Sequence, residues 1–512
     1  MVYCGKPSRA CLDCRVKRRK CDLSRPACRQ CVKAGSRCDG YRDQDSLIIR
    51  DQTAEIMGKV QPFPDNSPSL VSPHGNQAVP VRSERSQQTV VDQSKGPPVY
   101  HPWLGIVVPL EHQALHFYFH HYAANRSGPT PNHPDCLAII YARATGPGYL
   151  AHLINAVGLV SLAYQKKAPA LSHEANRAYS WALRDIRTAL TDPIEAASDQ
   201  MLVAVMLLVL YETVSGDSEN SLRSWDRHVD GALTLVQLRG ASQLRNRIGR
   251  SIFLNLRTEI LINCLQRRLR VPITLINWMS EARNFETAQE APAGSLADLI
   301  VNACAVLASA KDEVMDKANL SRYIATLLSI DKDLERWTQD LPVHYEFKTL
   351  TPPDETEELY LGRCDIYSGA EMVYTWNLQR CARIILRQAL VRALSLHFSS
   401  LSPPSASFPL SYRHLLRTSD ALIQETSSEI CYSLPYILHI YDKPGKPGDL
   451  RAASILPLLW PLYIAGTAHT APDTLREWVI AQMQKIEEVT GVQQAKFVAL
   501  DLERRCLFPH LL

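Results

Sequence analysis

From Pro109 onward the chain repeats one arrangement: apolar residues return at the third and fourth positions, alternating β-branched runs are scarce, and Pro/Gly clusters punctuate the pattern. That period belongs to amphipathic helices. The spacing therefore predicts an all-α body whose helices break at ATGPG (Ala144 to Gly148), AQEAPAGS, LTPPDETEE, LSPPSASFP and DKPGKPGD. No tandem repeat of fixed period is present, which argues against a uniform helical solenoid. Two stretches are apolar all round, MLVAVMLLVL at Met201 to Leu210 and ILPLLWPLYIAG at Ile455 to Gly466. Each falls short of the ~18–20 residues of a membrane span, the first is closed by Asp199 and Glu212, and the second holds Pro457 and Pro461. Both are expected to be buried helices, with no membrane partner.

Ahead of the body the pattern changes twice. Ile49, Ile56, Met57 and Val60 could share a helical face, but Pro62 and Pro64 end it before the ~3–4 heptads a dimerising coiled coil needs. From Gln61 to about Val99 the residues are Pro, Ser, Gln and Asn with few aromatics, too polar to order themselves around a core. Three regions are expected: a small head at 1–42, a mostly disordered linker at 43–107, and an α-helical domain at 108–512.

Charge sharpens this division. Residues 1 to 42 hold twelve Lys/Arg against Asp13, Asp22 and Asp39, a formal +9, which leaves −5 for the rest of a chain whose net charge is +4. A basic head on a mildly acidic body suggests a polyanion-binding module joined to something else. The opening MVYCGKPSRA carries charge, Gly and Pro where a secretory signal needs an apolar run, so an intracellular chain with reduced thiols is expected.

Half of the fourteen cysteines precede residue 39. Six of them, Cys11, Cys14, Cys21, Cys28, Cys31 and Cys38, form one C-x2-C-x6-C unit written twice, and Cys4 stands outside the spacing. Closely spaced thiols in a reducing compartment argue for metal rather than disulfide. In each unit a C-x-x-C pair can start a short helix and aim two sulfurs at one ion, while six residues let the chain return with a third. Zinc prefers four thiolates, so two ions need more contacts than six unshared sulfurs supply, and one bridging thiolate per unit is the symmetric solution. The other seven cysteines are scattered singly and read as small buried apolar residues.

Residues 11 to 38 resemble, without a gap, the fungal binuclear zinc cluster family of transcription factors. The resemblance implies two zinc ions, with Cys11 and Cys28 bridging, Cys14 and Cys21 completing one site, and Cys31 and Cys38 the other. Pro26, Gly35 and the ending Cys38-Asp39-Gly40-Tyr41 match the family's pattern. It also implies that the third and fourth residues after the second cysteine, here Lys17 and Arg18, read bases in the major groove of double-stranded DNA, usually at CGG half-sites. Arg18 stands where many relatives carry Lys, and Arg too can bond guanine bidentately. Arg15, Arg19 and Lys20 are then expected on phosphates, where they set affinity without reading sequence.

The body shows no H-E-x-x-H, G-x-S-x-G, P-loop or dinucleotide glycine fingerprint. His112, His116 and His120 fall on one helix face, but a single helix cannot close a metal site, and whether they have a role stays open. DQMLVAVMLLVLYE, SWDRHVDGALTLVQLRG and ILPLLWPLYIAG resemble, more loosely, the regulatory region of one branch of the same family, often regulators of secondary metabolism. Within the second stretch Ser224 is read as an N-cap for Trp225, His228 and Ala232, and Gly231 as a point of close helix approach. The expectation is a small two-zinc, six-cysteine DNA-binding module, a disordered linker and a large all-α regulatory domain. Its function would be that of a nuclear, sequence-specific, non-enzymatic transcription factor for RNA polymerase II genes, with a secondary-metabolite gene cluster as target. Homodimerisation and contact with the transcription machinery go with it. Two rivals remain: a zinc-storage or redox-thiol protein, which would not need the basic run, and an enzyme with an attached zinc module, which would need convergent catalytic residues in the body.

Overall fold

The computed structural model describes residues 10–17, 19–24, 27–36 and 38, then 108–123, 133–143, 148–216, 219–310, 316–352, 357–399, 409–438 and 451–504. The short face expected over Ile49 to Val60 and the linker reading of 43–107 lie outside them. The chain divides into two compact units, 1–100 and 101–512. In the first, the short helices α1 (Leu12–Val16) and α2 (Arg29–Lys33) each begin directly after a cysteine.

The second unit is built mainly from helices. They begin with α3 (Leu110–Tyr118), α4 (His133–Arg143), α5 (Tyr149–Gln165), α6 (Pro169–Ala189), the short α7 (Pro193–Ala196), α8 (Asp199–Ser215) and α9 (Glu219–Arg239). They continue with α10 (Arg247–Arg267), α11 (Ile273–Ala282), α12 (Ala291–Ala308) and α13 (Lys317–Gln339), and end with α14 (Ala370–Ser399), α15 (Leu410–Ile437), α16 (Ala452–Thr467), α17 (Asp473–Thr490) and α18 (Gln493–Arg504). One hydrophobic core runs through them. The two stretches that are apolar all round are the buried α8 and α16, as a helix without a polar face must be. By contrast α6 turns only the stripe Ala175, Ala178, Ala182 and Ile186 inward. Among the described residues α12 is the one helix long and apolar enough to cross a membrane; it packs against α10, α13 and α14 and buries Leu296, Ile300, Cys304 and Leu307.

Caps mark several helix starts: Ser198 accepts from Met201 N–H at 3.0 Å, Asn246 from Gly249 N–H at 2.6 Å and Asp316 from Asn319 N–H at 2.7 Å. Where α3 crosses α5, a Cβ on Gly158 would stand 2.2 Å from the Ala114 carbonyl oxygen, so only glycine permits the approach. Gly158→Ala should therefore cost about 1–3 kcal/mol through forced separation of the two helices. A lower urea midpoint at unchanged cooperativity would show it; an unchanged midpoint would mean that the crossing relaxes freely.

Several local expectations are corrected. The body is helical as expected and carries in addition a short strand pair: β1 (Lys348–Leu350) pairs antiparallel with β2 (Cys364–Ile366), with Thr349 opposite Asp365. Three-residue strands are too short to show alternation, and this pair is backed by side-chain bonding instead, Thr349 Oγ1 donating to Asp365 Oδ1 at 2.7 Å. The AQEAPAGS break is in part the first turn of α12, where Pro292 needs no N–H partner. Ser224 is not an N-cap, because α9 already starts at Glu219, and a Cβ on Gly231 would meet open space rather than a neighbouring helix. The singly placed Cys264, Cys304, Cys364, Cys381 and Cys431 are buried; the side chains of Cys136 and Cys506 lie outside the described residues.

Buried charge bolts the later helices together. On α14, Arg380 is 1% exposed; its Nε donates to Glu429 at 3.1 Å, its Nη1 donates to Tyr367 Oη and Asn377 Oδ1 at 3.0 Å each, and its guanidinium lies over Phe347 and Trp376. One and two turns further along, Arg383 and Arg387 both donate to Asp331 of α13.

Candidate metal centre and nucleic-acid interface

The repeat in the sequence is a repeat in the backbone. In the first half Lys17 N–H donates to Asp13 O at 3.0 Å and Arg19 N–H to Cys14 O at 2.8 Å. Seventeen residues later Ala34 N–H donates to Gln30 O at 3.1 Å and Ser36 N–H to Cys31 O at 3.0 Å. Each half is thus one helical turn followed by a hydrogen-bonded reversal that brings the third cysteine back to the first two. At the start of α2 the Cys28 sulfur caps the helix, accepting from Cys31 N–H at 3.3 Å. Asp22, between the halves, accepts from Arg29 N–H at 2.9 Å and from the Ser24 hydroxyl, which fixes the entry into α2.

The six sulfurs gather into two groups of four, Cys11, Cys14, Cys21, Cys28 and Cys11, Cys28, Cys31, Cys38, with the donor atoms of each group within 4.8 Å of one another. Cys11 and Cys28 belong to both. Four thiolates around one zinc at ~2.3 Å stand about 3.8 Å apart. The sulfurs of Cys11 and Cys28 are 3.6 Å apart, those of Cys11 and Cys31 3.6 Å, and those of Cys14 and Cys28 3.7 Å. Donor type, number and spacing therefore fit two ions sharing two bridging thiolates. Burial, with the neighbouring thiols, pushes Cys11 up to about 12 and raises Cys31 further. Cys21 is drawn down to about 7, its burial being outweighed by hydrogen bonds from the Cys11 and Leu23 backbone. Burial thus favours the neutral thiol at Cys11 and Cys31, and a cation at the cluster would offset that cost.

Around this cluster the basic turn is held by an acid. Asp13 Oδ1 lies 2.7 Å from Lys17 Nζ, and its Oδ2 accepts from Arg19 Nη2 at 2.6 Å and from Ser36 Oγ at 3.2 Å, with Cys31 Sγ at 3.5 Å. The Lys17 contact holds the Asp13 carboxyl below the usual carboxylate range. Lys17 and Lys20 are exposed, whereas the Arg19 side chain is only 34% exposed and its Nε is buried without a hydrogen-bond partner.

A family model described as the fungal Zn(2)-Cys(6) binuclear cluster domain matches residues 9–47, and one described as the fungal specific transcription factor domain matches residues 96–267. The head is a binuclear zinc cluster domain. Residues 96–267 carry the fungal specific transcription factor domain. The chain is 49% identical over 37 residues to an aspercryptin biosynthesis cluster-specific transcription regulator of Emericella nidulans, covering 7% of this chain and 6% of that protein. It is 25% identical over 270 residues to a phomenoic acid biosynthesis cluster-specific transcriptional regulator of Leptosphaeria maculans, covering 50% of this chain and 45% of that protein. The chain thus spans less than half the length of either relative. No solved structure matches.

A binuclear cluster domain binds zinc and DNA, and the cysteine geometry is consistent with the first. Of the residues expected on DNA, Lys17, Arg19 and Lys20 stand together on the turn that follows α1; the Arg15 side chain and all of Arg18 lie outside the described residues. The second half of the cluster domain repeats the fold but not the chemistry, with Ala34, Gly35 and Ser36 where the first has Lys17, Arg18 and Arg19. Sequence reasoning passed over Asp13 and Ser36. An Asp–Lys pair four apart at Asp13 and Lys17 was a legible signal, but Ser36 reaches Asp13 only through the closed cluster.

Among the described residues the histidines His112, His116 and His120 belong to no group of metal donors. His112, His116 and His120 are all exposed, and a π-helical turn, Phe119–Ala123, follows α3, so His120 stacks with His116 at 6.3 Å and abuts His121 at 4.8 Å. Among the described residues only the two cysteine groups bring three or more donors together.

Proposed function

We propose that this protein is a nuclear, sequence-specific DNA-binding regulator of RNA polymerase II transcription, acting on the genes of a biosynthetic cluster. The observation that carries this is the pair of four-sulfur groups sharing Cys11 and Cys28 with a basic turn folded directly onto them. Cys14 and Cys21 would complete one site and Cys31 and Cys38 the other. Zinc, when bound, supplies the positive charge that keeps the six thiols ionised and ties the two halves together. The chain's own residues do the rest: α1 aims the turn, Lys17 and Arg18 meet guanine edges of CGG-type half-sites, and Arg15, Arg19 and Lys20 neutralise phosphates. One such module reads about three base pairs, as a single zinc finger does, so a second copy is expected on the same DNA. The head at 1–42, the linker at 43–107 and the regulatory body at 108–512 divide the work between binding and control, and the body's partners are the transcription machinery. No catalytic step is assigned; both matched domains are those of transcription factors.

Lys17→Ala and Arg18→Ala should each cost about 1–3 kcal/mol on the cognate duplex and relax base preference, whereas Lys20→Ala should weaken all sequences alike. Binding isotherms on selected and scrambled duplexes decide this, and a uniform loss from every basic substitution would remove the base-reading roles. In cells, chromatin occupancy with matched expression change identifies the target genes; occupancy with no sequence preference would defeat the proposal.

A further inference from the structure

Asp13 is neither a metal ligand nor a cation, yet the basic turn and the second half of the cluster meet on it. Its side chain is 15% exposed, with Lys17 Nζ 2.7 Å from Oδ1 and Arg19 Nη2 2.6 Å from Oδ2. From the other half Ser36 Oγ donates to Oδ2 at 3.2 Å, and the Ser36 N–H is itself bonded to Cys31 O at 3.0 Å. The carboxylate is therefore anchored to the second half and reaches back to two cations of the first. The arrangement is not part of the repeat: seventeen residues on, the counterpart of Asp13 is Gln30, and no cation stands at 34 or 36.

We propose that Asp13 is a positioning residue for DNA recognition, holding Lys17 and Arg19 from behind so that their remaining donors face the groove in one arrangement. The inference rests on the assignment of Lys17 to bases and Arg19 to phosphates. An ammonium has three N–H donors and a guanidinium five; Asp13 takes one from each, and with Arg19 Nε buried two donors of Lys17 and three of Arg19 are left for DNA. Long basic side chains lose the most rotamer freedom when they are fixed. Holding them with a carboxylate that is itself hydrogen-bonded removes that freedom on folding rather than on binding. The carboxylate also carries a charge that repels phosphate, so its two effects on binding have opposite signs and can be told apart.

The test uses the full chain, zinc-loaded, with metal content checked by native mass spectrometry. The probes are a duplex enriched from a random-sequence pool by the wild type and a scrambled duplex of the same composition. Asp13→Asn should keep its metal, bind the enriched duplex about 5–20-fold more weakly, and bind the scrambled duplex equally well or more tightly, because one negative charge is gone. Ser36→Ala should shift the ratio of the two affinities the same way by a smaller factor. In a Lys17→Ala background, Asp13→Asn should change that ratio by no more than about twofold, since of the two residues it positions the base-reading one is absent and Arg19, on phosphate, acts on both duplexes alike. Tighter binding to both duplexes would make Asp13 a counterion that restrains the turn, and would overturn the proposal. So would equal weakening on both, or loss of metal, either of which would make Asp13 a folding residue. Failure of the wild type to enrich any consensus is a separate result, which removes the base-reading assignment itself.

Discussion

Chelation of zinc from the full chain unfolds the head and leaves the body's helices intact; that is the expected result, and it carries the largest effect. The head's core is the cysteine cluster, with Cys11, Cys14, Cys28 and Cys31 fully buried and Ala10, Cys21 and Cys38 packed against them. Among the described residues of the head this is the only apolar core, and structural zinc contributes about 10–16 kcal/mol of apparent binding free energy that is also folding free energy in so small a module. The geometry makes the prediction specific by residue. Cys28→Ser should lose both ions, because Cys28 belongs to both four-sulfur groups, while Cys38→Ser should lose one and leave the group of Cys11, Cys14, Cys21 and Cys28 complete. Native mass spectrometry counts the ions. Equal losses from the two variants, or a wild type that holds a single ion, would dismiss the bridged arrangement. The body's circular dichroism and urea midpoint should be the same with and without chelator.

In the body the largest effect is expected at Asp331. This carboxylate is 2% exposed and accepts from Arg383 Nε at 2.8 Å through Oδ1 and from Arg387 Nη2 at 2.5 Å through Oδ2. The two arginine side chains are themselves only 15% and 13% exposed. Asp331→Ala strands two buried guanidinium groups, and removing one member of a buried pair costs about 3–5 kcal/mol, since the remaining charge keeps its desolvation cost without its partner. Glu335, 3.7 Å from Arg383 but 56% exposed, is too solvated to substitute. The expected outcome is a large fall in the urea midpoint of the body with zinc content unchanged; a fall under about 1 kcal/mol would mean that water reaches both arginines once the carboxylate is gone.

Much of the head was legible because its determinants are close in sequence. Cys11 to Cys38 hold every ligand, and a C-x-x-C pair at the start of a helical turn aims two sulfurs the same way whatever surrounds it. The choice of shared sulfurs was not legible by counting, since one sulfur from each unit balances the requirement whichever is chosen. It was the resemblance that pointed to Cys11 and Cys28, and the folded chain places those two in both groups. In the body, periodicity announced helices, and the apolar runs of α8 and α16 announced burial. It did not announce β1 and β2, the true start of α9 or the open space beside Gly231, because each depends on neighbours distant in the chain.

The order of residues alone determined which groups could ionise and gather: six thiols at two identical spacings, a basic run between the second and third, and a helical body of opposite net charge. Ligand chemistry and helical period are local properties, set by covalent spacing and by the side chains themselves. Tertiary structure decided which of those groups act on one another. Asp13 meets Ser36 across twenty-three positions, and Asp331 meets Arg387 across fifty-six. A hydrogen bond or ion pair exists only within about 3–4 Å, and that closeness is created by packing, which no spacing along the chain specifies.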